Sequence, residues 1–230
     1  MSTSIAARIQ NINNAIIKAI NDSQRSLDDV TLMAVTKGRS LEDITAAVHA
    51  GIVHFGENYW QEAEKKIAHF KDHPLIWHFI GKIQKNKARA IANAVQWVDS
   101  LDDLAVANSL SKHRLPSLPP LNVCIQVNLQ QELTKSGLAP SDLLSFASEL
   151  ITMPQLCLRG LMIIPKPTDD EHAQYTIFSQ LAELKDYLSQ ALHIPLDTLS
   201  MGMSNDFHAA IQAGSTMVRI GQLIFEETST

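Results

Sequence analysis

Short apolar runs alternate with amphipathic segments along most of the chain. Eight of the runs read as strands, and several are apolar almost throughout, as parallel strands covered on both faces are. The intervening segments repeat apolar residues every three or four positions, which predicts helices. The predicted strands are residues 31–36, 52–55, 76–80, 95–100, 121–128, 157–164, 198–201 and 217–220.

Polar residues and glycines mark the ends of some helices. Ser40 and Asp43 have the spacing of a capping box, before a helix that would end at Gly51. Ser204 and Gly214 would bracket another helix as its N-cap and its terminal glycine. These boundaries place the helices between the predicted strands.

The first segment of the chain also predicts a helix. Isoleucines recur there as one apolar stripe at positions 5, 9, 12, 16 and 20. Because no helix clearly follows the eighth strand, this helix is expected to cover that part of the structure. The sequence therefore predicts an α/β fold in which residues 1–230 form a single domain, a (β/α)8 barrel of the TIM type with an extra N-terminal helix.

Composition and charge narrow the functional classes. A formal charge of -5 and a pI near 6.0 give no cationic field for nucleic acid, so small molecules are the expected partners. No apolar run is long enough for a bilayer, so no membrane partner is expected. Cys124 and Cys157 lie in separate apolar runs and do not form a disulfide framework, which favours a reducing cytoplasm and two inert core thiols.

Polar residues collect late in the predicted strands or directly after them. In barrels of this type the active site lies at the carboxyl ends of the strands, so these side chains are expected on one face. They are Lys37, Glu57, Asn58, His78, Asp99, Ser100, Asn128, Ser200 and Arg219.

Lys37 directly follows the first apolar strand. Burial at the barrel rim would favour its neutral, nucleophilic amine, which suits Schiff-base chemistry. The alternative is an ordinary lysine that reaches from a strand end to solvent.

Residues 200–205 join the seventh strand to a helix. Gly202 would permit close approach of the backbone, and free N–H groups near the predicted cap at Ser204 would suit a phosphate. A plain cap and turn is the alternative. Asp206 would repel a phosphate if it faced the same way, so it is expected to point outward.

Arg219 lies inside the eighth apolar run. A buried guanidinium needs a partner to offset its desolvation. A ligand and a structural ion pair within the barrel are both possible partners at this stage.

Together the motifs resemble the pyridoxal phosphate homeostasis protein family, which looks like the barrel domain of alanine racemase without its second domain. The resemblance covers nearly the whole chain. The motifs that carry it are residues 34–37, 55–59, 77–81 with Gln84, Asn86 and Lys87, then 135–137, 158–162, 199–204 and 214–221.

The resemblance implies a site for pyridoxal 5′-phosphate (PLP). By it, Lys37 is the Schiff-base lysine, and Arg219 approaches the pyridine nitrogen. Ser204 and the backbone around Gly202, Met203, Arg219 and Gly221 would hold the phosphate, and Asn58, Met201 and His78 would line the remaining walls. The chain departs from the family at Gln222, where a threonine is common, and at Glu226, where a glycine is common.

A cation beside the pyridine nitrogen weakens the ring as an electron sink, and racemisation needs bases on both faces of the substrate carbon. The resembled racemase takes its second base from a domain that this chain is too short to contain. The expected function is therefore a monomeric carrier or buffer of PLP in vitamin B6 and amino-acid homeostasis, with PLP-dependent apoenzymes as recipients and without strong catalysis.

Two other functions stay open. A small PLP-dependent amino-acid racemase would need a second base such as Tyr59, Lys135 or His78. Lys135 is also a hypothetical second attachment point for PLP. A module without a cofactor would bind anions or RNA through a basic cluster, although such a cluster is typical of a solvated helix face. Its members are Lys82, Lys85, Lys87 and Arg89. A metal site is not expected, because His69 and His73 lack further ligands.

Overall fold

The computed structural model describes residues 4–130, 132 and 136–226. In these residues, parallel strands pair in chain order and close into an eight-stranded barrel, with the last strand paired to the first. The strands are β1 (Thr31–Val35), β2 (His54–Glu57), β3 (Ile76–Phe79), β4 (Trp97–Leu101), β5 (Leu121–Val127), β6 (Leu156–Ile163), β7 (Thr198–Ser200) and β8 (Met217–Ile220). The predicted (β/α)8 barrel is confirmed.

Helices separate the strands and form the outer layer. They are α1 (Ile5–Asp22), α2 (Leu41–His49), α3 (Trp60–His69), α4 (Ala88–Ala94), α5 (Leu104–His113), α6 (Leu143–Leu150), α7 (Glu171–Leu192), α8 (Phe207–Gln212) and α9 (Gln222–Phe225). Short 3₁₀ turns occupy Leu27–Asp29, Lys85–Lys87 and Pro140–Asp142.

The capping box at the start of α2 is present. The N–H of Asp43 donates to Ser40 Oγ at 3.2 Å, and the N–H of Ser40 donates to Asp43 Oδ2 at 3.3 Å. Gly51 follows the helix with a φ of +91°, a conformation that glycine adopts without strain. Both boundaries of this helix were predicted correctly.

The first helix covers the region after β8, as predicted. Four isoleucines of its stripe are buried, and α1 packs against α2, α8 and α9. Burial of each isoleucine side chain contributes about 1.5–3 kcal/mol. The short helix α9 was not predicted, because four residues are too few to show a helical period.

One cysteine prediction is wrong. Cys124 is buried, and burial raises the pKa of its thiol. Cys157 is exposed near the amino end of β6. None of the described helices is long and apolar enough to cross a membrane.

Candidate functional site

A cavity of about 500 Å³ opens at the carboxyl ends of the strands. Segments after β1, β2, β6, β7 and β8 form its walls, so residues distant in sequence meet there. Six of the residues predicted for the site line it: Lys37, Asn58, Met203, Ser204, Arg219 and Gly221. Thr168, Asp169, Gln174, Asn205, Asp206 and Gln222 also line it and were not predicted as site residues.

Lys37 reaches this cavity from the turn after β1. The residue is exposed, so the expected desolvation of its amine is not found. The reason is local, because the strand ends at Val35 and the chain then turns through Gly38, which has a φ of +70°. The place of Lys37 in the cavity, and not its burial, is what supports a chemical role.

The backbone around Lys37 is held from behind by α3 and β2. Lys66 donates to the carbonyl of Thr36 at 2.6 Å and to Glu57 Oε1 at 2.8 Å. The N–H of Gly38 donates to Glu62 Oε2 at 2.7 Å. Lys66 was missed in the sequence, since no local pattern distinguishes it from its lysine neighbour.

The turn after β7 presents unpaired backbone donors. Within the described part of the chain, the N–H groups of Ser204 and Asn205 donate to no backbone or side-chain acceptor, and neither do those of Gly221 and Gln222. These two segments line the same cavity. Free backbone N–H groups that line one cavity are donors of the kind that bind an anionic phosphate.

Two predictions about this turn are wrong. Helix α8 begins at Phe207 with Asp206 before it, so Ser204 is not the N-cap. Asp206 does not point outward but lines the cavity, where its Oδ1 accepts from the N–H of Met203 at 2.6 Å. The helix therefore starts two residues later than predicted. Burial raises the pKa of the Asp206 carboxyl.

Gly202 serves packing and not the cavity wall. Its φ is +97°, and a Cβ there would lie 2.7 Å from the Cβ of Ala210 in α8. Met201 is fully buried in the core. Neither residue lines the cavity, although both were predicted for the site, because the chain turns toward the cavity only at Met203.

Arg219 is buried with partners inside the barrel. Its Nη1 donates to Ser200 Oγ at 3.0 Å, and its Nη2 donates to the carbonyl of Ile163 at 2.8 Å. Ser200 in turn donates to Asp99 Oδ2 at 2.8 Å. Burial lowers the pKa of the guanidinium, and Asp99 opposes that shift. In place of the direct ion pair considered for this residue, the described residues link its guanidinium to Asp99 through the hydroxyl of Ser200.

His78 was expected to line the cavity, but it lies in the barrel interior. It has no exposed surface, its Nδ1 donates to Asp99 Oδ1 at 2.9 Å, and its Nε2 lies 2.9 Å from Nδ1 of His54. Its ring stacks on Trp97 at a centroid distance of 5.3 Å. A side chain late in a strand can point inward below the mouth, and His78 does so.

Asn58 carries an unsatisfied atom beside the cavity. Its Oδ1 is buried and has no hydrogen-bond partner among the described residues. A buried amide oxygen without a partner costs about 1–3 kcal/mol, so a ligand donor or water at this position would be stabilising.

The other candidate residues lie elsewhere. Tyr59 is exposed and lines a neighbouring cavity of about 250 Å³ together with Lys82 and Lys87. In the basic cluster, Lys82, Lys85 and Arg89 are exposed, as on a solvated helix face. Lys135 lies outside the described residues.

Comparisons with known proteins cover nearly the whole chain. The model of the alanine racemase N-terminal domain matches residues 13–228. The pyridoxal phosphate homeostasis protein of Pseudomonas aeruginosa is 48% identical over 225 residues, which cover 98% of this chain and 96% of that protein. The protein of the same name from Pasteurella multocida is 45% identical over 224 residues, 96% of either chain.

A solved structure adds a ligand to the comparison. PipY of Synechococcus elongatus, determined with PLP bound, is 34% identical to this chain. The two superpose with a TM-score of 0.84, over 96% of this chain and 100% of PipY. At this identity and coverage, the likeness extends beyond the general barrel architecture.

Proposed function

We propose that this chain, which belongs to the alanine racemase N-terminal domain family and has pyridoxal phosphate homeostasis proteins as relatives, binds PLP and takes part in PLP homeostasis. Its PLP-bound relative PipY supports the choice of ligand. The observation that carries the proposal is the joining of an amine and a set of free N–H donors in one cavity. Lys37 supplies the amine, and residues 204–205 and 221–222 supply the donors.

The residues around the cavity fit the groups of PLP. Backbone N–H groups with the hydroxyl of Ser204 match a phosphate, which takes several donors at once. The side chain of Asn58 has an unused oxygen for a ligand donor or a water. Val35, Ile80 and Ile164 offer apolar surface to the ring.

When bound, PLP supplies an aldehyde carbon to which a primary amine can add, and the condensation forms a C=N bond and releases water. Lys37 is the residue that we assign to this attachment, because it alone among the described lysines and arginines of the cavity wall is a primary amine. Ser204 and the free N–H groups orient the ligand toward it. Arg219, held by Ser200 and Ile163, places a cation below the site.

We infer a carrier or buffer in preference to a racemase. Among the second bases considered, Tyr59 lines a neighbouring cavity, and His78 is buried with both ring nitrogens engaged. A cation on the pyridine side, which Arg219 would supply, also disfavours carbanion chemistry. Delivery to PLP-dependent apoenzymes, a monomeric state, a second attachment at Lys135 and a cytoplasmic location remain predictions.

The test is a comparison of Lys37→Ala with Lys65→Ala, which removes an exposed lysine of α3. Each protein is incubated with PLP, reduced with borohydride and digested, and the modified peptide is identified by mass. We expect the wild type and Lys65→Ala to carry a phosphopyridoxyl group on the peptide that contains Lys37. Lys37→Ala should show no modification there and no imine absorbance. An unchanged imine spectrum in Lys37→Ala would rule out the attachment site.

A further inference from the structure

The chain around Lys37 is fixed by side chains from two other elements. On one side, Lys66 of α3 donates to the carbonyl of Thr36 at 2.6 Å, and the hydroxyl of Thr36 donates to Glu57 Oε1 at the end of β2. On the other side, Glu62 of α3 accepts from the N–H of Gly38 at 2.7 Å. Lys66 also donates to Glu62 Oε2 at 3.2 Å, so one ammonium group joins both sides. We call Lys66, Glu57 and Glu62 the β1-end clamp.

The clamp is mostly buried, although the residue that it flanks is exposed. The side chains of Lys66 and Glu57 are 7% and 1% exposed, and that of Glu62 is 39% exposed. Burial raises the pKa of Glu57, while the Gly38 N–H lowers the pKa of Glu62. Replacing a buried ion pair with apolar residues is often neutral or stabilising, so stability gives little reason for a lysine here.

Packing does not fix the turn that carries Lys37. Gly38 has a φ of +70°, and a Cβ placed on it would have no atom within 4 Å. Lys37 itself is exposed. Besides the backbone bonds from the Arg39 N–H to the carbonyl of Thr36 and from the Thr36 N–H to the carbonyl of Gly56, both 3.0 Å, the hydrogen bonds of the clamp are what hold this turn in one conformation.

From this arrangement we propose that Lys66 is a positioning residue for Lys37. Through the carbonyl of Thr36, and through Glu62 to the N–H of Gly38, it fixes the backbone from which the Lys37 amine enters the cavity. The inference rests on the proposed attachment of PLP to Lys37. It adds that the attachment depends on a lysine that does not line the cavity.

The positioning role separates two parts of ligand binding. Addition of an amine to an aldehyde requires the two atoms in a close and oriented approach, and a displacement of about 1 Å can cost about a hundredfold in rate. The phosphate is held by the turns after β7 and β8, which the clamp does not touch. Pyridoxine 5′-phosphate, which has an alcohol in place of the aldehyde, therefore reports the phosphate and ring contacts without the attachment.

The experiment measures the affinity of both ligands and the rate of imine formation with PLP in the wild type, Lys66→Met and Lys65→Met. The two variants make the same substitution at neighbouring positions, one buried and one exposed. For Lys66→Met we expect imine formation to slow by about tenfold or more and PLP affinity to fall, with pyridoxine 5′-phosphate affinity within about twofold of wild type. Lys65→Met should match the wild type for both ligands.

A second variant guards against loss of folding. Lys66→Met leaves the Glu57 carboxylate buried without its cation, which can destabilise the protein by about 3–5 kcal/mol. The double variant Glu57→Gln/Lys66→Met removes both charges, and circular dichroism checks that it is folded. If the folded double variant forms the imine at the wild-type rate, or loses affinity for both ligands equally, Lys66 does not position Lys37. If the wild type itself binds neither ligand, the proposed function fails instead.

Discussion

Nδ1 of His54 lies 2.9 Å from Nε2 of His78 inside the barrel. His78 contacts Asp99, which accepts from Ser200, which accepts from Arg219. A continuous path of hydrogen-bonding groups thus runs from the start of β2 at the amino end of the barrel to the guanidinium below the cavity. A buried polar group is stable only when its hydrogen bonds are made, so the loss of one of these five strand residues would leave a neighbour without its partner.

The histidine pair makes stability depend on pH. Burial, and then the nearby His78, lowers the pKa of His54 from 6.5 to about 4. Between these values the unfolded chain takes up a proton that the folded chain excludes, so stability is greatest above pH 6.5 and decreases toward pH 4. We expect His54→Gln to reduce this slope in urea unfolding at a series of pH values.

The control for this prediction is His172→Gln, which replaces an exposed histidine of α7. It should keep the wild-type slope. Equal slopes for His54→Gln and the wild type between pH 6.5 and 4 would show that His54 does not contribute.

Gly202 can be tested against Gly38. Both have positive φ, which costs an L-residue about 1–2 kcal/mol. Alanine at Gly202 also places its Cβ against Ala210 and the backbone of Phe207, whereas alanine at Gly38 meets nothing within 4 Å. We expect Gly202→Ala to reduce the free energy of unfolding by about 1–3 kcal/mol more than Gly38→Ala does. Urea denaturation measures both, and equal losses would contradict the packing role.

Gln222 and Glu226, the two departures from the family, both line the cavity, and Gln222 is the one beside a free N–H group. Gln222 is the first residue of α9, and its backbone N–H makes no hydrogen bond to the described residues. A threonine at this position would add a hydroxyl donor for a phosphate. Since a hydrogen bond contributes about 0.5–1.5 kcal/mol, Gln222→Thr should bind PLP about two- to tenfold more tightly. Valine has nearly the shape of threonine but no hydroxyl, so Gln222→Val should bind PLP no more tightly than the wild type. Equal affinities in the two variants would mean that the hydroxyl makes no contact.

The barrel could be predicted because its strands are apolar on both faces and its helices are periodic. Those are local properties, and they located all eight strands, with β2 and β4 each beginning two residues later than predicted. The four residues of α9 were beyond this reasoning. The start of α8 was misplaced because Ser204 and Asp206 are both residue types that favour the N-cap, and their positions in the sequence do not decide between them.

Only part of the candidate site could be predicted, because its prediction depended on the positions of strand ends and not on hydrophobic periodicity. Strand ends indicate which residues are near the mouth, and Lys37, Asn58 and Arg219 lie there. The position of a strand end does not show whether a side chain lines the mouth of the barrel or lies in the layer beneath it. His78 lies in that lower layer. Lys66 depends on how α3 packs behind β1, which is a tertiary property that its own neighbours in sequence do not encode.

The pairing of β8 with β1 also sets the order in which the site is completed during synthesis. A growing chain exposes Lys37 early, when neither Arg219 nor Gly221 has been translated. The barrel stays open at that seam until β8 has left the ribosome, and the free N–H groups of Gly221 and Gln222 follow it. If Lys37 attaches PLP as proposed, a nascent chain carries that amine before its full set of phosphate donors, and selectivity for a phosphorylated aldehyde is complete only when the seam closes.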